Sequence, residues 1–121
     1  MATIKSFTDL SQSRKLAEIL PLESADMCYE VGEDLDGYLT KTIYTPLMHT
    51  PYNDIYLPCW SLASLLEVLP EYNLQRTDWE NKTEYKIVVT VNDDNYASKN
   101  YDNPLDACYE MIIRLNELKM L

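Results

Sequence analysis

The strongest restriction on the fold comes from residues 84–91, in which apolar and polar side chains alternate. A period of two places successive side chains on opposite faces of a β-strand. We therefore predict a half-buried antiparallel strand, joined by short turns at residues 80–83 and 92–95 to neighbours at residues 72–79 and 96–101 in a three-stranded meander. The buried face is predicted to carry Tyr85, Ile87, Val89 and Val91, and the opposite face Glu84, Lys86 and Thr90.

The end of the chain has the periodicity of a helix that complements this strand. Asn103 is predicted to cap the helix, because a proline follows it at the first helical position. The helix is predicted to run nearly to Leu121, with Glu110 and Arg114 one turn apart on its exposed side. The apolar face that should cover the strand consists of Leu105, Cys108, Met111, Ile112, Leu115 and Leu118.

Two further helices are predicted. The first spans residues 9–20, with Thr8 as its N-cap. The second is a short central helix capped by Ser61, in which Trp60 before the cap is expected to pack on Leu65 as a hydrophobic staple. The helical stripe of the central helix, closed by a proline, is Leu62, Leu65, Leu66 and Leu69.

Residues 22–59 show a weaker pattern and are predicted to be mostly loop. Two pieces rich in β-branched and aromatic residues, 27–31 and 38–44, are predicted to pair as a hairpin around the acidic turn 32–37. The 121 residues are thus predicted to form one α+β domain, residues 1–121. Its meander packs against a long C-terminal helix and a short central helix, with an N-terminal helix and an irregular or hairpin-containing middle segment.

The charge balance excludes several classes of partner. Twenty acidic residues against ten basic ones give a formal net charge of -10. This charge repels the phosphates of nucleic acids and of anionic lipids, so we expect neither to bind directly. The sequence lacks the apolar stretches of a signal peptide or a membrane span, and we expect a cytoplasmic protein. The three cysteines are widely spaced and are expected to stay reduced.

Two segments carry a resemblance to a known family. The first reads Leu-Pro-Cys-Trp-Ser-Leu at residues 57–62 and continues to Pro70, and the second reads Asp-Asn-Pro-Leu-Asp-Ala at residues 102–107. Together with residues 24–29, they resemble small uncharacterised proteins of prophages and mobile elements from intestinal anaerobic bacteria. The resemblance implies a genomic context. It implies no activity, cofactor or site residue, because that family has no assigned activity.

No catalytic set is recognisable, so we do not predict an enzyme, and we expect no cofactor or metal ion. His49 is the only histidine and lies in a predicted loop. Any nucleophile activated by histidine would depend on it, with Cys59 or Cys28 as its partner. The sequence around these residues contains no nucleophile motif that supports such a site.

Carboxylates raise two further possibilities. Glu84 and Lys86 on a strand, with Asp78 and Glu67 nearby, resemble the metal site of some nucleases, but so short a pattern arises often by chance. The acidic stretch 23–36 contains enough carboxylates for a cation or a basic partner, without the ligand spacing of a calcium loop. A solvated acidic loop is the simpler interpretation.

The leading hypothesis is a small non-enzymatic binding or regulatory protein that acts through contacts with another protein. The ten tyrosines support it, because tyrosine combines apolar area with a polar tip and is common at interfaces. Two alternatives stay open: an acidic mimic of nucleic acid that inhibits a host DNA-binding enzyme, and an enzyme of unrecognised type. The predicted interaction surface consists of Tyr38, Tyr44, Tyr52 and Tyr56.

Overall fold

The computed structural model describes residues 5–31, 39–40 and 56–121. Its elements, in chain order, are α1 (Leu10–Ile19), a 3-10 turn (Leu22–Ser24), β1 (Met27–Val31), β2 (Leu39–Thr40), β3 (Tyr56–Cys59), α2 (Leu62–Val68), β4 (Tyr72–Asp78), β5 (Thr83–Val91), β6 (Asp94–Ala97) and α3 (Pro104–Glu117). The strands form two antiparallel sheets in the orders β2-β1-β3 and β4-β5-β6. The predicted α+β class is confirmed.

The predicted meander is the sheet of β4, β5 and β6. The pairing of β4 with β5 is continuous and has no bulge. The turn before β6 is shorter than predicted, because it consists of Asn92 and Asp93 alone, at φ 52° and 70°. Positive φ at both residues gives a two-residue turn whose twist matches that of the strands. β6 therefore begins before the predicted 96–101, and Tyr101 still exchanges backbone hydrogen bonds of 2.6 and 2.8 Å with Tyr85.

The hydrophobic core lies between β5 and α3, as the two periodicities predict. Ile87 and Val89 are fully buried. Five of the six residues predicted for the apolar face of α3 are also fully buried, and burying such a side chain contributes about 1.5–3 kcal/mol. The sixth, Leu118, is 47% exposed because it follows the last helical residue. The buried five are Leu105, Cys108, Met111, Ile112 and Leu115.

The prediction that α3 runs nearly to Leu121 is wrong. Lys119 adopts φ 59°, and its N–H donates to the carbonyl of Asn116 over 3.0 Å. The N–H of Met120 donates to the carbonyl of Leu115 over 2.8 Å. This pair of bonds around a left-handed residue is a Schellman motif, which ends the helix. The side chain of Met120 then packs against the core.

The prediction that Thr8 caps α1 is also wrong, because Asp9 holds that position. The Asp9 carboxylate accepts a hydrogen bond from the N–H of Gln12 (2.8 Å), and the Gln12 side chain accepts one from the N–H of Asp9 (3.1 Å). Thr8 is fully buried instead. Its hydroxyl accepts from the N–H of Trp60 over 3.1 Å and lies 2.7 Å from the hydroxyl of Ser13. Packing against a distant part of the chain thus decides the role of this residue.

The central helix α2 begins where the sequence predicts. The Ser61 side chain accepts a hydrogen bond from the first turn. Trp60 and Leu65 are fully buried in one core cluster, as a staple requires. The indole N–H of Trp60 donates to the hydroxyl of Ser24 over 3.0 Å. Asp26, from the predicted acidic loop, accepts hydrogen bonds from both the N–H and the hydroxyl of Ser61, so it anchors this helix start.

The predicted hairpin is confirmed where it is described, because β1 pairs antiparallel with β2. Tyr38 and residues 41–44, which belong to the same prediction, lie outside the described residues. β1 also pairs with β3, which the sequence does not predict because Pro58 is typical of a break. A proline is tolerated here because, among the described strands, β3 lies at the edge of its sheet. A second, small cluster contains Tyr29, Leu57 and Cys59.

Candidate functional site

The four tyrosines predicted as an interaction surface fall mostly outside the described residues. Tyr38, Tyr44 and Tyr52 lie outside them, and so does His49. Tyr56 is the first residue of β3, where its backbone pairs with β1. The tyrosine surface therefore stays a prediction.

Two of the cysteines are buried thiols. Burial raises the pKa of the fully buried Cys108 thiol to about 12. Cys59 is 1% exposed, and burial raises the pKa of its thiol. The Thr8 hydroxyl donates to the sulfur over 3.6 Å and acts to lower that pKa, but burial outweighs it. Both thiols are protonated at neutral pH, whereas the thiolate is the nucleophilic form. Both side chains pack in buried clusters, Cys108 in the main core and Cys59 in the small cluster.

Asp78, one of the carboxylates considered as metal ligands, has other contacts. Asp78 accepts hydrogen bonds from the hydroxyl of Thr83 (2.8 Å) and from Nε of Arg76 (3.1 Å), which together lower the pKa of its carboxyl. Within the described parts of the chain, no group of three or more His, Cys, Asp and Glu side chains is placed to hold a metal ion. Glu67, Asp78 and Glu84 are among the residues described, and they form no such group.

The outer side of β4 is the feature of the described residues that is best suited to binding another molecule. Among the described strands, β4 lies at the end of its sheet. Of its seven residues only Leu74 is half-buried, and the others are exposed. The N–H of Thr90 on β5 donates to the carbonyl of Glu71 over 2.9 Å. Backbone direction alternates along a strand, so odd-numbered residues of β4 face β5 and even-numbered residues face outward. The outward groups belong to Tyr72, Leu74, Arg76 and Asp78.

The opposite edge of the same sheet is partly covered by α3, at and just after the end of β6. Arg114 of α3 donates to the carbonyl of Ala97 at the end of β6, over 2.7 Å. Glu110 of α3 accepts from the N–H of Lys99, over 2.9 Å. The two residues predicted to stand on the exposed side of α3 therefore bind the backbone along this edge. Among the described residues, the outward groups of β4 have no comparable bond.

Exposed aromatic side chains mark both ends of β4. Tyr72, at its start, is 44% exposed, and Trp79, directly after its end, is 57% exposed. The Cα atoms of these two residues are about 23 Å apart, because a strand rises about 3.3 Å per residue. The N–H of Trp79 donates to the carbonyl of Lys82 over 2.7 Å and closes the turn to β5. A shallow hollow of about 630 Å³ at this turn is lined by Trp79, Glu80, Asn81, Lys82 and Glu84.

The sequence predicts β4 as a strand but does not indicate its exposed outer edge. The composition of β4 is the one feature of the sequence that could indicate an edge strand, because Leu74 is the one aliphatic residue between Tyr72 and Asp78. A strand enclosed on both sides and both faces carries more apolar residues. Polar strands also occur in the middle of one-sided sheets, so composition alone does not fix the position.

Comparison with known proteins adds no assignment: no family model matches the chain, and neither curated proteins nor solved structures give a match. Within the described residues, no helix has both the length and the hydropathy needed to cross a membrane.

Proposed function

We propose that this chain is a small non-enzymatic binding or regulatory protein of a prophage or mobile element, which acts in the cytoplasm through contacts with another protein. The observation that carries the proposal is the outer edge of β4 between the exposed side chains of Tyr72 and Trp79. We call this surface, formed by β4 and Trp79, the β4 edge.

The composition of the β4 edge supports a binding role. Tryptophan and tyrosine are among the residue types that contribute most to the affinity of interfaces. Exposed strand edges are usually protected by proline, lysine or a bulge, because they pair readily with other chains. The β4 sequence, Tyr-Asn-Leu-Gln-Arg-Thr-Asp, has no proline or lysine, and its pairing with β5 has no bulge. An edge without these protections is suited to a partner.

The experiment compares partner capture by matched variants. Tagged protein is incubated with lysate of the source organism, and bound proteins are quantified by mass spectrometry. The variant Tyr72→Ser/Trp79→Ser should lose at least about tenfold of the specific partner, because both anchors are removed. The control Leu22→Ser/Leu118→Ser removes apolar side chains that are 42% and 47% exposed elsewhere. It should capture the partner as the parent protein does.

Two outcomes contradict the proposal. Equal capture by the two double variants would show that the aromatic side chains make no specific contact. Loss of capture in Tyr52→Ala/Tyr56→Ala, with full capture by Tyr72→Ser/Trp79→Ser, would move the interface to the tyrosines predicted from the sequence. Exposed substitutions change the free energy of unfolding by about 0.5 kcal/mol or less, so a melting curve of each β4-edge and control variant checks its fold.

A further inference from the structure

We infer that the β4 edge accepts an extended, positively charged segment of its partner as an additional antiparallel strand. This inference rests on the proposed function and specifies both the mode of binding and the chemistry of the partner. It follows from the backbone groups of β4, the side chains beside them and the charge of the chain.

The backbone of β4 offers a row of groups suited to strand addition. The outward N–H and C=O groups recur at every second residue, from Tyr72 to Asp78. An extended peptide has its own donors and acceptors at the same repeat, so about seven residues of a partner match the full length of β4. These bonds are independent of side chains, which makes an extended conformation the main requirement on the partner.

The side chains of β4 determine which side chains the added strand of the partner should have. The register of β4 on β5 places Tyr72 and Leu74 on the same face as the buried Val89 and Ile87. A strand added outside β4 would continue this face, so its residues opposite Tyr72 and Leu74 would be apolar. The indole of Trp79 does not belong to this face, because the alternation along the strand places it on the opposite side of the sheet from Tyr72 and Leu74, beside Glu84.

The negative charge of the chain favours a partner segment of positive charge. Between residues 71 and 84 there are four carboxylates and two cationic side chains, and the whole chain has a formal net charge of -10. A cationic segment is attracted to this surface, and the attraction raises its rate of association. A second copy of the chain has the same negative charge and is repelled, so we assign the edge to a cationic partner rather than to a dimer.

The first test is hydrogen exchange of the β4 amides in the free protein, measured by NMR. The amides of Asn73 and Gln75, which face β5, should exchange slowly, and those of Leu74 and Arg76, which face outward, should exchange fast. Slow exchange of Leu74 and Arg76 in a monomer would mean that another part of the chain already covers the edge, and this would overturn the inference.

The second test uses a defined probe, a synthetic peptide of alternating lysine and valine, about nine residues long. Its binding should slow the exchange of Leu74 and Asp78. Arg76→Pro removes an outward N–H without breaking a bond to β5, whereas Arg76→Ala removes the same charge and keeps that N–H. Affinity should be about tenfold lower for Arg76→Pro than for Arg76→Ala, because the lost bond and the proline ring both act against pairing.

Control peptides separate pairing from simple charge attraction. A version N-methylated throughout keeps its charge but lacks backbone donors, and a version with glutamate in place of lysine keeps its donors but reverses the charge. Neither should bind measurably. Equal affinity of Arg76→Pro and Arg76→Ala, or binding of the N-methylated peptide, would overturn strand addition. Binding of the glutamate peptide would overturn the charge assignment, and a dimer lost in Arg76→Pro would assign the edge to a second copy.

Failure of this inference is distinguishable from failure of the proposed function. Capture of a cellular partner that depends on Tyr72 and Trp79 but is unchanged by Arg76→Pro would leave the proposed function in place and overturn strand addition alone. Capture that depends on none of these three residues would overturn both.

Discussion

Replacing Thr8 by valine tests the finding that this residue is an interior hydrogen-bonding group and not a helix cap. The hydroxyl of Thr8 accepts from the N–H of Trp60 over 3.1 Å and shares a 2.7 Å hydrogen bond with the hydroxyl of Ser13. Thr8 and Trp60 are fully buried, and so is Ser13. Valine keeps the branched shape of threonine and removes only the polar group.

The expected loss of stability follows from the groups left without partners. A buried N–H that loses its acceptor costs about 1–3 kcal/mol, and loss of the bond to Ser13 adds about 1 kcal/mol. Thr8→Val should therefore lower the free energy of unfolding by about 2–4 kcal/mol, a large part of the 5–15 kcal/mol typical of a domain. Thr8→Ser keeps the hydroxyl and loses one buried methyl group, which costs about 1 kcal/mol.

The assay is equilibrium unfolding in urea, followed by circular dichroism and tryptophan fluorescence. Thr8→Val should be less stable than Thr8→Ser by at least about 1 kcal/mol, with the same dependence on urea concentration. A valine variant as stable as the serine variant would refute the assignment of the hydroxyl as the acceptor for Trp60. Asp9→Ala, which removes the observed cap, should cost about 1 kcal/mol.

Two further predictions concern the ends of α3. Lys119→Gly should raise the free energy of unfolding by about 0.5–1 kcal/mol, because Lys119 has φ 59° and glycine adopts this conformation without strain, whereas Lys119→Ala should bring no gain. Urea unfolding measures both, and a glycine variant no more stable than the alanine variant contradicts the Schellman end. At the other end, burial raises the pKa of the Asp106 carboxyl, but hydrogen bonds from Lys5 (2.9 Å), Asn103 (2.8 Å) and Gln12 (2.8 Å) outweigh it and hold that pKa below 3.8. Because the carboxyl is more acidic in the folded state, the stability it contributes is present above pH 3.8 and is lost as the pH falls through its folded pKa. Acid titration of Asp106→Asn should therefore show a smaller loss of stability below pH 3.8 than the parent protein, and identical acid slopes would contradict this.

Local patterns predict much of this fold, because their causes lie within a few residues. The alternation around Ile87 identifies β5, and the spacing from Leu105 to Leu115 identifies the buried face of α3. The caps at Ser61 and Asn103 are confirmed at the residue level, since each depends on an N–H three residues away. Where the pattern fails, as at Leu118, the chain has already turned out of the helix.

The candidate site could not be predicted in the same way. The sequence directs attention to Tyr38, Tyr44, Tyr52 and Tyr56 through residue type alone, and it does not rank them against Trp79. The alternation in β4 predicts a strand, but the order of strands depends on which hydrophobic faces cover one another across long separations in sequence. Strand order therefore emerges only once the sheet is assembled.

Glu110 and Arg114 show where local information ends. Their spacing, four residues along a helix, is enough to place them on one side of α3, because helical geometry is local. Their partners, Lys99 and Ala97, are determined by how α3 crosses the sheet. Tertiary packing places these side chains along the edge of β6, and the outer side of β4 has no such cover among the described residues. A hydrogen bond to a strand edge forms only where two elements meet, and residues far apart in the sequence determine where that is.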